Sequence, residues 1–160
     1  MNSCSNISLK TVLLLKIVYG VEIKRLLAAS REALDSLAKV HPEECPTDPK
    51  KFVGDASEAA TKLAQLAQYT RDKAAEAGMP EESANTLRRA ADEQEKASNN
   101  LLNSANHLLQ KRDDPQRQAE VRKRVEEGRD AVQYSVNPLA AMKEQLDALS
   151  LDKKPSTHQV

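Results

Sequence analysis

The chain has 160 residues, enough for one domain with at most a flank. Lys plus Arg number 24 and Asp plus Glu number 24, so the formal charge is zero and no general field for nucleic acid exists. Aromatic residues make up only 2% of the chain and there is no Trp, which argues against a strand-rich domain, while four Gly are few for phosphate loops or a doubly wound sheet.

Residues 1–20 differ from the rest of the chain. Thr11 to Leu15 and Ile17 to Val21 form an apolar, partly β-branched run, whereas the body is rich in Ala. Lys10 and Lys16 interrupt the run and no small-residue cleavage site comes after it, so it reads neither as a secretory signal nor as a spanning helix. It is expected to be a buried first helix or a lead segment that belongs poorly to the rest, as a truncated or misjoined start would be. The bundle proper is expected over 21–151.

Helix one is predicted over Val21 to Lys39, or from an earlier start. Ile23, Leu26, Leu27, Leu34, Leu37 and Ala38 form its stripe. Two prolines, Pro42 and Pro46, end it in a loop. Helix two opens with Asp48 as N-cap and Pro49 in the first helical position, where its missing N–H costs nothing. It is predicted to run to about Ala77, with Phe52, Ala56, Ala59, Ala60, Leu63, Leu66, Ala67 and Ala74 on one face, and with Gly78 as a left-handed stop.

Helix three begins near Pro80 or Glu81 and ends near Lys111. Leu87, Gln94, Leu101 and Leu108 fall seven apart, with Ala90, Ala97 and Ala105 beside them. Helix four repeats the opening of helix two, with Asp114 as cap and Pro115 first. From Val121 through Val125, Gly128, Val132, Ser135, Leu139, Met142, Leu146 and Leu149 its apolar register alternates steps of four and three. That register passes Pro138 in phase, so a kink rather than a chain reversal is expected there. Residues 152–160 carry no apolar period and are expected to form a loose tail.

Helices of this length joined by short connections bury their stripes as neighbours. The expected fold is all-α: an antiparallel up-down four-helix bundle of long Ala-rich helices. Small Ala side chains let the helices approach closely but bury little area each, so a modest stability per residue is expected.

No residue set carries chemistry. Cys4 and Cys45 have no metal-spaced partner and read as reduced thiols. His41, His107 and His158 are scattered, and no Glu-x-x-His step accompanies them. The expectation is no enzyme, no metal and no cofactor. Charges alternate in sign along the helices; the densest basic stretch is Arg122-Lys123-Arg124 with Arg117 and Arg129, a candidate patch for an acidic filament or headgroup surface.

The Ala-rich helices, few aromatics and short loops over about residues 21–150 resemble the talin rod and its vinculin and α-catenin relatives. Vinculin-binding talin helices carry the pattern Leu-x-x-Ala-Ala-x-x-Val-Ala-x-x-Val-x-x-Leu-Leu-x-x-Ala. Leu87, Ala90, Ala91, Leu101, Leu102 and Ala105 fall in register with it, while Gln94, Glu95 and Ser98 stand where it has Val, Ala and Val. The resemblance implies a cytoplasmic cytoskeletal adaptor at adhesion sites or junctions, with actin or a vinculin-like adaptor as protein partner. An Ala-rich seam interrupted at Gln94, Ser98, Ser135 and Gly128 is expected to open at low force. Two other readings remain: an amphipathic bundle on a lipid surface, using the run Thr11 to Val21, and a structural oligomer paired as a dimer through the helix-four seam.

Overall fold

The structure, a computed structural model, describes residues 9–76 and 78–151, with side chains placed for 22–76, 78–145, 147 and 148. The start, 1–8, and the expected tail, 152–160, lie outside the described residues, as do the side chains of Leu146 and Leu149.

Four helices succeed one another: α1 (Leu9–Ala38), α2 (Pro49–Ala74), α3 (Glu81–Gln110) and α4 (Pro115–Leu151). Among the described residues there is no strand. The helix over 9–38 starts well before the Val21 read from the apolar stripe. Helical backbone does not require a stripe, and the leucines and lysines of 9–16 are good helix formers.

Between α1 and α2 lies one turn of 3₁₀ helix, Pro42–Glu44. Asp48 caps α2 as its residue type predicts: a side-chain oxygen accepts the Lys51 N–H at 3.1 Å, and Pro49 takes the first turn. Lys51 Nζ binds Asp55 Oδ2 at 3.1 Å and Glu44 Oε1 at 3.2 Å, tying the turn to the helix. These hydrogen bonds, Asp55 first and then Glu44, hold its ammonium pKa above the ordinary lysine value.

α2 stops at Ala74 rather than near Ala77. The Ala75 N–H donates to the Arg71 carbonyl at 3.0 Å and the Glu76 N–H to the Lys73 carbonyl at 3.2 Å, so the last turn tightens and closes there. Gly78 has φ 85°, the left-handed conformation expected of it. At the start of α4, Asp114 Oδ1 accepts the Gln116 N–H at 3.0 Å. That helix runs unbroken through Pro138.

Each helix packs against its neighbours in sequence, and α4 also packs against α1; the two most extensive interfaces are α2–α3 and α3–α4. Phe52, Leu63, Leu66, Leu87, Leu101 and Leu108 fill the core, joined by Ile23, Leu37, Val121, Val132 and Leu139. All eight residues read as the stripe of helix two are buried. In helix one, Leu27 and Leu34 are half-buried and Ala38 is exposed, whereas Ser30, Ala33 and Ser36 turn inward, as does Val40 just beyond the helix. Gly128 lies under α1: a Cβ there would meet both Leu37 methyls at 3.2 Å and a Leu63 methyl at 3.3 Å.

The glycines separate two effects. Gly54 is an exposed α2 residue, and a Cβ added to it would have nothing within 4 Å. Gly54→Ala is expected to stabilise the bundle by about 0.5–1 kcal/mol, because Ala restricts the unfolded chain and favours helix. Gly78→Ala, forced into φ 85°, is expected to destabilise it by about 1 kcal/mol. Paired urea melts in which both variants shift the same way would contradict this.

Candidate functional site

The α3 face to which Leu87, Ala90, Ala91, Leu101, Leu102 and Ala105 belong lies inside the bundle. Leu87, Ala90, Ala91, Leu101 and Ala105 are all buried, and of the six only Leu102, 36% exposed, reaches the surface. Seven-residue spacing puts Leu87, Leu101 and Leu108 along one side of the helix, and the bundle covers that side first.

At the centre of this face stands Gln94, fully buried. Its Nε2 donates to the Ala131 carbonyl at 3.1 Å and to Ser135 Oγ at 2.8 Å, both on α4. Its Oε1 lies 3.5 Å from Thr70 Oγ1 on α2. Thr70 and Ser135 in turn donate to carbonyls of their own helices, Leu66 at 2.7 Å and Val132 at 3.1 Å. Ser98 Oγ donates to the Ala60 carbonyl across the α2–α3 interface at 2.7 Å. A buried amide needs such partners. Gln94 and Ser98, the positions where the pattern has Val, are thus the two residues of α3 that hydrogen-bond across the core.

Thr70 and Lys73 lie outside the stripe predicted for helix two, yet both are buried. The steps of four and three through Ala59, Leu63 and Leu66 reach them next, so the phase is present in the sequence and their polarity hides it. The Lys73 side chain is 4% exposed, with Nζ 3.0 Å from Glu22 on α1 and 3.0 Å from Glu76. It forms the wall of an open groove of about 640 Å³ between α1 and α2, where Arg25, Glu32, Tyr69 and Asp72 also border the space.

The five α4 cations read as one patch, Arg117, Arg122, Lys123, Arg124 and Arg129, do not form one surface. Successive helical residues are about 100° apart, so Arg122, Lys123 and Arg124 point different ways. Arg117 and Arg124 turn toward α3. The Arg117 Nη1 donates to the His107 carbonyl at 2.7 Å, and Arg124 pairs with Glu127 at 2.8 Å beside Glu93 and Asn100. Arg122 and Arg129 instead border the end of α1 and the turn at His41–Glu43, where Arg129 lies 3.7 Å from Glu126. Lys123 is exposed. Alternating charge is legible in a sequence, but the side on which each cation emerges depends on how α4 is rotated against its neighbours.

Among the described residues no group of three or more His, Cys, Asp or Glu is placed to hold a metal ion. Cys45 is buried. Burial pushes its thiol pKa up, with the nearby Arg112 charge opposing, so the unreactive neutral form is favoured. Among the described residues the exposed large apolar side chains are Tyr69, Leu102 and Tyr134. No helix among the described residues is long and apolar enough to cross a membrane. Comparison with protein families, with curated proteins and with solved structures finds no match for the chain.

Proposed function

We propose that this chain is a non-enzymatic adaptor module of the talin-rod and vinculin type. In this reading it works in the cytoplasm at cytoskeletal adhesion sites or junctions and captures a protein partner, actin or a vinculin-like adaptor, through a helix. The observation that carries it is the burial of the patterned α3 face within a seam of alanines and hydrogen-bonded polar residues. Such a face is withheld while the bundle is closed and offered when it opens.

The same reading takes the helices as antiparallel, up-down-up-down. Partner positions support it. Glu22 meets Lys73 while Glu32 meets Lys62; Arg71 meets Asp92 and Glu95 while Ala60 meets Ser98; Gln94 meets Ala131 and Ser135 while His107 meets Glu120. Along each pair one number rises as the other falls. It also takes α4 to bend at Pro138, which lacks the N–H for one helical bond. The seam persists beyond it, through buried Leu139 and half-buried Met142. Arg122 and Lys123 are the exposed cations left for an acidic filament.

Two measurements test this. Capture of the vinculin head is expected to be negligible for the folded chain and to appear once tension or mild urea opens the bundle. Co-sedimentation with actin filaments is expected to fall at least about threefold in an Arg122→Glu, Lys123→Glu double variant at low salt. Absence of capture after opening, together with charge-insensitive sedimentation, would refute the adaptor reading.

A further inference from the structure

We infer that α1 is a releasable strap over a self-supporting unit of α2, α3 and α4, and that its departure is what uncovers the α3 seam. Among the residues whose side chains are described, the hydrogen bonds that cross the core join α2, α3 and α4 and none comes from the 22–38 part of α1. Gln94 links α3 to α4 and approaches Thr70 of α2, and Ser98 links α3 to α2. The surface ties add to the same three helices: Arg71 with Asp92 and Glu95, His107 with Glu120, and Arg117 with the His107 carbonyl.

α1 is held differently. Its buried Ser30 hydroxyl donates to the Leu26 carbonyl of the same helix at 2.8 Å and asks nothing of a neighbour. Over the described side chains of α1, 22–38, two ion pairs reach it from α2, Lys73–Glu22 and Lys62–Glu32, and in each the α1 carboxylate is exposed, 43% and 63%. When α1 leaves, Lys73 keeps Glu76 at 3.0 Å, so no buried charge is abandoned. What the 22–38 part of α1 loses is apolar packing, chiefly Ile23, Leu26, Ala33 and Leu37, the last seated against Gly128.

Open space also borders the described part of this helix. Three open clefts, of about 640, 430 and 290 Å³, run beside it: one against α2, one where Leu27 faces the far half of α4, and one where Leu37 and Val40 meet Arg122 and Arg129. Local opening is drawn from the parts of a protein with least packing and fewest cross-ties. Because α1 sits between α2 and α4 and makes little contact with α3, its release opens the inner side of the bundle, toward which Leu87, Gln94 and Leu101 are buried. The inference deepens the adaptor reading by naming what gates the seam, and rests on it only for what the opened seam receives.

Hydrogen exchange on the full chain, resolved by helix in low urea, tests it without any partner. Amides of 22–38 are expected to exchange at least about tenfold faster than those of 87–108. Gln94→Ala removes ties that survive the loss of α1, so it weakens the closed and the α1-released states alike. It should therefore speed exchange in 87–108 by at least about tenfold and leave 22–38 unchanged within about twofold. Leu37→Ala weakens only the closed state and should speed both. If Gln94→Ala does not fold, Ser98→Ala gives the same contrast at smaller amplitude. One common rate across all four helices, or equal acceleration of α1 and α3 by Gln94→Ala or Ser98→Ala, would overturn the strap. Because no partner is present, that result would leave the adaptor reading to its own capture test.

Discussion

Phe52→Ala is expected to destabilise the bundle by about 3–5 kcal/mol, the range for truncating a buried aromatic. Phe52 is the sole Phe of the chain and is 0% exposed. Its neighbours along the α2 seam, Ala56 and Ala59, have no side-chain length with which to close the space it would leave. Small domains are stable by only about 5–15 kcal/mol, so this single change removes a large share of the total. The melting midpoint should fall by about 10 °C, taking about 2–4 °C per kcal/mol at this chain length. Tyr134, 54% exposed on α4, is the matched control, and Tyr134→Ala should stay within about 0.5 kcal/mol of the parent. A loss below about 1 kcal/mol for Phe52→Ala, measured by urea unfolding, would mean that the start of α2 is not packed into the core.

Gln94 gives the second large effect, and its size depends on what replaces it. Gln94→Ala deletes the hydrogen bonds to Ala131 and Ser135 and leaves a cavity among α2, α3 and α4, an expected cost of about 2–3 kcal/mol. Gln94→Leu fills nearly the same volume. It strands no partner either, because the Thr70 and Ser135 hydroxyls keep the Leu66 and Val132 carbonyls of their own helices. It is expected to lie within about 1 kcal/mol of the parent, on either side. The amide finds its acceptors in only one alignment of α3 against α4, which is what Leu cannot reproduce. If both variants lose the same stability, the contribution of Gln94 is hydrogen bonding rather than volume. If neither loses any, the buried layer is not formed.

These two sites differ in how plainly the sequence shows them. Phe52 falls at the first position of a run that continues through Ala56, Ala59 and Leu63, so its burial can be read from spacing alone. Gln94 is legible as a member of the α3 seam because Leu87 and Leu101 flank it at seven residues. Its partners are not legible, since Thr70 and Ser135 lie 24 and 41 residues away and are brought to it by packing. The same holds for Lys73, whose polarity conceals a seam position that the step pattern reaches.

The interaction surfaces divide along the same line. The resemblance of α3 to a partner-binding helix rests on residue types in register, and those are local. That five of the six residues carrying it are buried is a property of the assembled bundle. For α4, a dense basic stretch reads as one patch, whereas helical rotation sends Arg117 and Arg124 toward α3 and Arg122 and Arg129 toward the end of α1.

By itself the sequence determined where three helices begin, through Asp48–Pro49, Pro80–Glu81 and Asp114–Pro115, and which face of each carries the apolar seam, because caps and periodicity are properties of neighbouring residues. Only the tertiary structure decided which polar atoms meet in the core, which side of the bundle each cation serves and how unevenly the four helices are tied together. Those depend on the offset and rotation of one helix against another, set by packing among residues far apart in the chain, of which Leu37 seated on Gly128 is the clearest instance.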